Sequence, residues 1–368
     1  NFLVERWAVE AERPPDVLTV GAANTISALT FEPGTVADLG SGRLTVASGN
    51  VVTNAGAATA ITGGTLAAGG GSPTNRLAFG LNADLSVGAV LEGTGGLSKV
   101  GPGTLTLTAA NTFTGGITVT AGAFVLTGPG AGLAVPNPTA TPPVAANALT
   151  VTGAAFRATD VGAPFALGNV TVGANGTLSL VNSSATAGTL AFNTTAPTAL
   201  TVDNGSLTTN TLSGGSATAG STNIPTVTLA GANTVLRTGT TGTATSTFYG
   251  RITGAGRLVK TGDTTLALSL GVLTDGSGNP LVNDFTGGVT VEGGRVSVSS
   301  IARQLGAGPV TLNGGGLAYT GTVPEAVAGL TIGANGGTVE ATSTTAGAGL
   351  RLPAAFAQDG PLTKAGAG

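Results

Sequence analysis

Residues Leu97–Leu126 read LSKVGPGTLTLTAANTFTGGITVTAGAFVL, and this stretch contains the pattern that decides the fold of the chain. Leu105–Thr108 and Ile117–Thr120 alternate apolar residues with threonine, which is the period-2 pattern of a half-buried β-strand. Glycines stand between these segments, where they allow tight corners because glycine adopts positive φ without steric cost. The stretch therefore predicts short strands joined by sharp corners.

The same unit recurs along the chain as an apolar–Thr–apolar triplet with a glycine soon after it. The shortest steps between copies run from Val289 to Val310 and from Val310 to Leu330. A strand-rich period near twenty is typical of a β-solenoid, in which each coil buries its apolar face against its neighbours. We therefore predict an all-β parallel β-helix with coils of about 20 residues. The triplets are centred on Thr45, Thr118, Thr150, Thr171, Thr201, Thr228, Thr290, Thr311 and Thr331.

The alternation within each triplet predicts which side chains face the core. Leu, Val and Ile are expected to point into the stack and Thr to point outward. Tandem β-sandwiches are the alternative fold, because Asn175-Gly176 and Asn204-Gly205 resemble hairpin turns. Two observations favour the solenoid: aromatic residues make up only 4% of the chain, and the repeat step is longer than the strand spacing of a sandwich.

The composition excludes several classes of function. Charged residues make up 8% of the 368 residues, so the surface consists mainly of Thr, Ser, Asn and Gly, which lose little side-chain entropy when covered. Cys and His are absent, which excludes disulfides, thiolate or imidazole metal ligands and His-based catalytic triads. A net charge of −3 provides no electrostatic basis for binding nucleic acid. No apolar run reaches the roughly 18–20 residues that span a membrane.

The N-terminal segment, residues 1–16, differs from the rest of the chain. It holds six of the 31 charged residues and the only tryptophan, Trp7. We expect residues 1–16 to form either an ordered first strand or cap, or an arm that docks on a neighbouring copy through Phe2, Val4 and Trp7. The solenoid is expected to occupy residues 17–356, and residues 357–368 to begin a further, truncated repeat.

Residues 91–126 resemble the autotransporter-associated, or passenger-associated, β-strand repeat of bacterial surface proteins. The family pattern consists of Gly-Gly-Leu-x-Lys, Gly-Thr-Leu-x-Leu, Asn-Thr-aromatic-Thr-Gly and a closing Gly and Leu. These parts fall on Gly95–Lys99, Gly103–Leu107, Asn111–Gly116 and Gly122–Leu126. The repeat positions in this copy are Leu97, Lys99, Gly103, Leu105, Leu107, Asn111, Phe113 and Gly115.

A second copy over residues 254–298 is interrupted by an insertion, Leu270–Val282, and a third copy begins at Gly360. The repeat positions in the second and third copies are Leu258, Lys260, Asn283, Phe285, Gly287, Leu362 and Lys364. The resemblance implies a right-handed parallel β-helix on the outer surface of a Gram-negative-type cell or in the extracellular space.

Lys99, Lys260 and Lys364 stand at equivalent repeat positions, so we expect a structural role for them, either as an exposed stripe or through a hydrogen bond at a strand end. A Ser98–Lys99 catalytic dyad is excluded because adjacent strand residues point to opposite faces. Asp275–Asn279 contains one carboxylate, whereas Ca²⁺ takes about six to eight oxygen ligands. We expect no catalytic residue, no cofactor and no metal site.

These observations predict a non-enzymatic structural or adhesive surface protein, a rigid stalk or fibre subunit. The expected partners are copies of the chain itself, head-to-tail or side by side, with host or matrix glycans as a further candidate. The alternative function is a carbohydrate-binding or carbohydrate-cleaving β-helix. Such a site needs exposed aromatic rings beside carboxylates, and neither Tyr249 nor Tyr319 has an acidic residue within three positions.

Overall fold

The computed structural model describes residues 2–4, 17–69, 76–134, 146–193, 195–216, 218, 221, 223–239, 245–270, 273–275, 277–343, 345 and 347–367. Parallel strands stack as a β-solenoid of about 14 turns, and the parallel solenoid predicted from the repeats is confirmed. The sandwich alternative is wrong, because the pairs between named strands in the described residues are parallel. The chain forms two compact units: unit 1 comprises residues 1–170 and 176–186, and unit 2 comprises residues 171–175 and 187–368.

The strands are short, and they are numbered here in chain order. The first twenty-one are β1 (Phe2–Val4), β2 (Val17–Thr19), β3 (Ala23–Ile26), β4 (Leu29–Phe31), β5 (Val36–Asp38), β6 (Arg43–Val46), β7 (Asn50–Thr53), β8 (Thr59–Thr62), β9 (Thr65–Ala68), β10 (Leu77–Leu81), β11 (Leu85–Val87), β12 (Val90–Glu92), β13 (Leu97–Val100), β14 (Thr104–Leu107), β15 (Ile117–Val119), β16 (Ala123–Thr127), β17 (Asn147–Val151), β18 (Ala155–Thr159), β19 (Phe165–Val172), β20 (Thr177–Val181) and β21 (Ser184–Phe192).

One helix, a single turn long, occurs among the later described elements. These elements are β22 (Ala199–Asp203), β23 (Ser206–Gly215), β24 (Thr226–Leu229), β25 (Val235–Thr238), β26 (Thr245–Tyr249), β27 (Arg251–Gly254), β28 (Arg257–Lys260), β29 (Thr265–Leu268), β30 (Val289–Val291), β31 (Arg295–Val298), α1 (Ile301–Gln304), β32 (Val310–Leu312), β33 (Gly316–Tyr319), β34 (Pro324–Ala326), β35 (Leu330–Ile332), β36 (Gly337–Ala341), β37 (Gly349–Arg351), β38 (Ala357–Gln358) and β39 (Leu362–Ala365).

In unit 1 the strands stack in three columns, so that each coil contributes one strand to a column. The first column runs β1–β4–β7–β10–β13–β15–β17, the second runs β2–β5–β8–β11–β14–β16–β18–β20, and the third runs β3–β6–β9–β12. In the second column Leu85 lies opposite Leu105, as expected for coils of about 20 residues. Inside this column the rings of Phe124 and Phe156 stack with their centroids 5.3 Å apart.

In unit 2 most strands belong to two long columns, and from β25 onward the strands of these two columns alternate along the chain. One runs β23–β25–β28–β30–β32–β35–β38 and the other runs β26–β29–β31–β33–β36–β39, while β22–β24–β27 and β34–β37 form shorter columns. Coil length varies in this unit. Val289 lies opposite Val310, one regular coil later, whereas the coil that leads from Leu258 to its partner Val289 is longer because it contains the insertion.

The inward and outward assignments of the triplets are confirmed. In all nine triplets both apolar residues are buried and the threonine is partly or fully exposed. Thr118 lies opposite Thr150, and Thr290 lies opposite Thr311, as expected for outward ladders. The nine threonines do not share one face, because Thr45 belongs to the third column of unit 1 and Thr118 to the first.

The Asn-Gly pairs form corners within coils instead of hairpin turns. Asn204 has φ 48° and Asn175 has φ 55°, which are left-handed conformations that asparagine tolerates better than most residues. Asn204 lies between β22 and β23, and both strands pair in parallel with later strands. The hairpin interpretation of these pairs is therefore wrong.

Both ends of the described chain contain strands that pair within it. Phe2–Val4 pairs in parallel with Leu29–Phe31, so these N-terminal residues form an ordered first strand. Trp7 lies outside the described residues. Near the other end, β39 pairs with β36. Among the described residues no helix is long and apolar enough to cross a bilayer.

Candidate functional site

The first repeat places its lysine inside the stack. Lys99 lies on the inward face of β13 together with Leu97, and both side chains are fully buried. Lys99 Nζ donates hydrogen bonds to the carbonyl oxygens of Val100 (3.1 Å), Gly101 (2.7 Å) and Ala121 (3.1 Å). Ala121 belongs to the next coil, so the ammonium group joins the corners of two successive coils.

Lys260 has the same position in the second repeat. It is 1% exposed, and its Nζ donates hydrogen bonds to the carbonyl oxygens of Thr261 and Gly262. An exposed stripe, one of the two roles expected from the sequence, is therefore wrong for Lys99 and Lys260. The physical reason is that the aliphatic stem of a lysine can pack in the core while its ammonium group reaches polar atoms at the edge.

Burial shifts the titration of both lysines. Burial lowers the pKa of Lys99 to about 8, and the nearby Asp84 carboxylate opposes this effect. Burial also lowers the pKa of Lys260, and Asp263 opposes it. Removing a charged amine from water disfavours its protonated form, so each lysine costs some stability in its charged state, which the carbonyl hydrogen bonds partly offset.

Lys364 does not share the environment of the other two lysines. It is exposed, and its Nζ donates a hydrogen bond to the Gly366 carbonyl oxygen at 2.8 Å. Among the described residues β38 continues the column that contains Lys260, whereas Lys364 lies opposite Val339 in the neighbouring column. The expectation that Lys364 is equivalent to Lys260 is therefore wrong, because β38 and not β39 follows β35 in the column of Lys260.

The asparagine of the first repeat connects three coils. Asn111 is 3% exposed, and its Oδ1 accepts a hydrogen bond from the Leu91 N–H of the previous coil at 3.0 Å. Its Nδ2 donates to the Ala109 carbonyl oxygen at 2.8 Å and to the Gly132 carbonyl oxygen of the following coil at 3.0 Å. A single buried side chain thus satisfies the Leu91 N–H and adds hydrogen bonds to the Ala109 and Gly132 carbonyl oxygens, which also accept backbone hydrogen bonds.

The second repeat contains the same arrangement. Asn283 is 3% exposed, and its Oδ1 accepts a hydrogen bond from the Ile252 N–H at 2.7 Å. Its Nδ2 donates to the Gln304 carbonyl oxygen at 2.7 Å. Two residues after each asparagine a phenylalanine is buried: Phe113 is 2% exposed and Phe285 is 0% exposed. The motif therefore provides a polar bridge beside an aromatic core residue.

The remaining repeat positions are apolar residues or glycines. Leu97, Leu105, Leu107 and Leu258 are fully buried, whereas Leu362 is partly exposed. At Gly103 an added Cβ would lie 2.3 Å from the Ala83 carbonyl oxygen, and at Gly287 it would lie 2.4 Å from the Gly256 carbonyl oxygen. Adjacent corners approach too closely for any side chain at these two places. Gly115 has φ 91°, which also requires glycine.

Sequence reasoning did not identify two arginines that contact the insertion. Arg251 Nε donates a hydrogen bond to the Val282 carbonyl oxygen at 3.2 Å. Arg303 Nε donates to the Leu281 carbonyl oxygen at 3.1 Å, and its Nη2 donates to the Leu273 carbonyl oxygen at 3.0 Å. Neither arginine belongs to the family pattern, so only their places beside the repeat could have indicated them.

The described surface offers little that resembles a chemical site. Arg295 and Glu340 form an ion pair across the intervening strand β33, beside a polar cavity of about 130 Å³ lined by Gly314–Gly316. Tyr319 is buried, and its hydroxyl donates to the Val323 carbonyl oxygen. Within the described ranges no three acidic side chains cluster where they could hold a metal ion.

A family model matches the two stretches of the chain that contain the buried lysines and asparagines. The family model described as passenger-associated-transport-repeat matches residues 97–126 and 258–298. These two stretches begin at or near the buried lysines and include both bridging asparagines. No curated protein and no solved structure shows a significant match to the chain.

Proposed function

We propose that this chain is a non-enzymatic structural segment of a bacterial surface passenger, in which a stack of β coils serves as a stalk, fibre subunit or adhesive scaffold. The passenger repeat and the β-solenoid fold fit a secreted or surface-exposed structural protein of a Gram-negative bacterium. The observation that carries the proposal is the use of the motif's polar side chains. Asn111 and Asn283 are buried and bonded to neighbouring coils, so the residues that define the repeat support the stack itself.

Exposure of the chain at the bacterial surface is tested on cells that make the protein. Antibodies raised against residues 17–134 are applied to intact and to permeabilised cells, with a cytoplasmic protein as the control. We expect labelling of intact cells and its loss after treatment with an external protease. Labelling that requires permeabilisation contradicts the proposal.

The non-enzymatic part of the proposal requires a separate test. Purified chain is incubated with a panel of polysaccharides, and new reducing ends and unsaturated sugars are measured. We expect no turnover, since the groups of the described residues whose pKa is shifted, Lys99, Lys260, Asp275 and Tyr319, lie in separate parts of the sequence instead of forming one acid–base cluster. Reproducible cleavage that is lost in Asp263→Asn or Asp275→Asn contradicts the proposal.

We further propose that copies of the chain assemble head-to-tail. Among the described residues β1 pairs with β4 and β39 pairs with β36, and a strand of another copy can add to such a parallel stack by backbone pairing. Contacts that repeat in one direction without closing produce filaments. Phe2 and Val4 lie in β1, and with Trp7 they are the contacts we propose for the neighbouring copy.

Sedimentation of three variants tests this assembly. Trp7→Ala leaves β1 in place, whereas deletion of residues 1–16 removes it, and Val323→Ala serves as a control at an exposed site away from this end. We expect the first two variants to sediment as smaller species with unchanged circular dichroism and the control to assemble normally. Assembly that persists in both variants excludes the docking arm.

A further inference from the structure

Each bridging asparagine bonds one residue of the preceding coil and one of the following coil. The residues directly before these partners differ between the two repeats. The Leu91 N–H and the Ile252 N–H play the same role toward Asn111 and Asn283, so Arg251 corresponds to Val90. The Gly132 and Gln304 carbonyl oxygens also play the same role, so Arg303 corresponds to Ala131. An arginine therefore stands at both places beside the interrupted repeat, and an apolar residue stands at both places beside the uninterrupted one.

The interruption lies between a core strand and the asparagine. In the first repeat three residues, 108–110, separate the end of β14 from Asn111. In the second repeat fourteen residues, 269–282, separate the end of β29 from Asn283. Asn283 nevertheless makes its two bridging hydrogen bonds at 2.7 Å. Contacts outside the repeat pattern must therefore bring the longer segment back so that Asn283 occupies the same position as Asn111.

Leu273 and residues 281–282 form the stem of the insertion, where the chain leaves and rejoins the stack. The two arginines contact this stem from the preceding and the following coil. Arg251 lies in the coil before it and donates to the Val282 carbonyl oxygen, and it also forms an ion pair with Asp284. Arg303 lies in α1 of the following coil and donates to the carbonyl oxygens of Leu273 and Leu281, which lie on the two sides of the stem. The Leu281 N–H donates to the Leu273 carbonyl oxygen at 3.0 Å, so the stem is closed where Arg303 contacts it.

The insertion contains a buried base and an exposed tip. Leu270 and Leu273 are fully buried, whereas Asp275 and residues 277–280 are exposed. Asp275 accepts hydrogen bonds from the backbone N–H groups of Ser277 (2.9 Å) and Asn279 (2.8 Å). The insertion thus combines an anchored stem with an exposed, hydrogen-bonded tip.

We propose that Arg251 and Arg303 form a two-sided clamp that holds this insertion in one orientation, so that the interrupted repeat keeps its asparagine bridge and the tip is displayed as a fixed projection. Arginine suits this task because its planar guanidinium group presents five donors in a rigid fork and can serve two carbonyl groups at once. Lysine has a single point charge on a flexible stem and cannot reproduce that geometry. The proposal goes beyond the structural role of the coil stack, because it assigns a positioning role to residues outside the repeat pattern.

Hydrogen exchange measured by NMR tests the clamp in the full chain. The reporters are the amides of Asp275, Leu281 and Asn283, and the amides of β30 serve as the internal reference. In Arg303→Met and in Arg251→Met we expect the reporters to exchange about tenfold faster, because each substitution removes charged hydrogen bonds from the stem. The control variant Arg295→Met, which removes an ion pair with Glu340 elsewhere in unit 2, should leave the reporters unchanged.

A deletion distinguishes a clamp for the insertion from general support of the coil. Removal of residues 271–281 leaves three residues between β29 and Asn283, as in the first repeat. In this background Arg303→Met should no longer change the exchange of Asn283. If Arg303→Met alone does not fold, Arg303→Lys replaces it, with a smaller acceleration expected. Unchanged reporters in both single variants overturn the proposal, and so does an equal effect of the Arg303 substitution with and without the insertion.

Discussion

The repeat at residues 97–126 is continuous, whereas the repeat at residues 258–298 carries an insertion, and the same buried asparagine connects three coils in both. In the first repeat Asn111 bridges Leu91 to Gly132, and in the second Asn283 bridges Ile252 to Gln304. The inward positions are alike despite the different path of the chain. The comparison shows that the packing of the coil interior constrains the repeat more strongly than the length of its corners does.

The outward positions of the two repeats differ much more. Thr106 in β14 corresponds to Ala267 in β29. Thr120 follows the last strand residue of β15, and Glu292, which follows that of β30, forms an ion pair with Arg237. These outward side chains contact solvent or other outward side chains, so their identity has little influence on the core. Substitutions at matched inward and outward positions should therefore separate the two kinds of residue.

The largest expected effect comes from matched core leucines. Leu107→Ala and Leu268→Ala each remove a buried side chain, so each should lower the free energy of unfolding by about 2–5 kcal/mol. Thr106→Ala should cost less than about 0.5 kcal/mol, because an alanine already stands at the corresponding position of the second repeat. Denaturant titration measures all three variants. Equal losses for Leu107 and Thr106 would show that the inward and outward assignments are wrong.

A smaller loss is expected when the bridging asparagines are replaced. Asn111→Ala removes the partner of the Leu91 N–H, and Asn283→Ala removes the partner of the Ile252 N–H, so each should lower the free energy of unfolding by about 1–3 kcal/mol. Asn50, an exposed asparagine in β7, provides the matched control, and Asn50→Ala should change stability by less than about 0.5 kcal/mol. If only one of the two bridge variants is destabilised, the two repeats are not equivalent.

The buried lysine of the first repeat predicts a dependence of stability on pH. The pKa of Lys99 is lowered to about 8 in the folded chain from an ordinary value of 10.5. Between these two values the unfolded chain binds the proton and the folded chain does not, so the stability of the folded state rises with pH. The free energy of unfolding of the wild type should therefore increase, relative to Lys99→Met, by up to about 3 kcal/mol between pH 7 and pH 10.5. A difference that is flat or falls with pH would contradict a buried, deprotonating amine.

The smallest expected effect concerns the ion pair between Glu292 of the second repeat and Arg237. Arg237 and Glu292 are partly exposed, so Glu292→Gln should cost no more than about 1 kcal/mol, and the cost should decrease in 1 M salt. Thr120→Ala, at the corresponding outward place of the first repeat, should show no salt dependence. A loss of several kcal/mol that salt does not reduce would mean that outward residues also determine stability.

Much of the fold could be predicted because the alternation of apolar residues and threonine indicates which residues of each strand face inward. The triplet around Thr118 is an example, since its neighbours are buried and paired in register. The period-2 rule also places Lys99 inward, two residues after Leu97. The charge of lysine instead favoured an exposed position, so the sequence pattern did not predict that its aliphatic stem is buried.

Other features depend on chain paths that the repeat pattern does not encode. The place of Lys364 follows from the length of the segment before it, which allows β38 to occupy the column of Lys260. The contacts of Arg251 and Arg303 depend on where an irregular insertion returns to the stack. No periodicity applies to such a segment, so only the three-dimensional arrangement identifies these residues.

Buried polar residues of the repeat hold successive coils together. The most direct measurement is the hydrogen-exchange rate of the Leu91 amide, which donates to Asn111 Oδ1 at 3.0 Å. In Asn111→Ala this rate should rise at least about tenfold while the protein remains folded, and in the control Asn50→Ala it should not change. An unchanged Leu91 rate in folded Asn111→Ala would show that the asparagine does not bridge the coils, and would contradict the account.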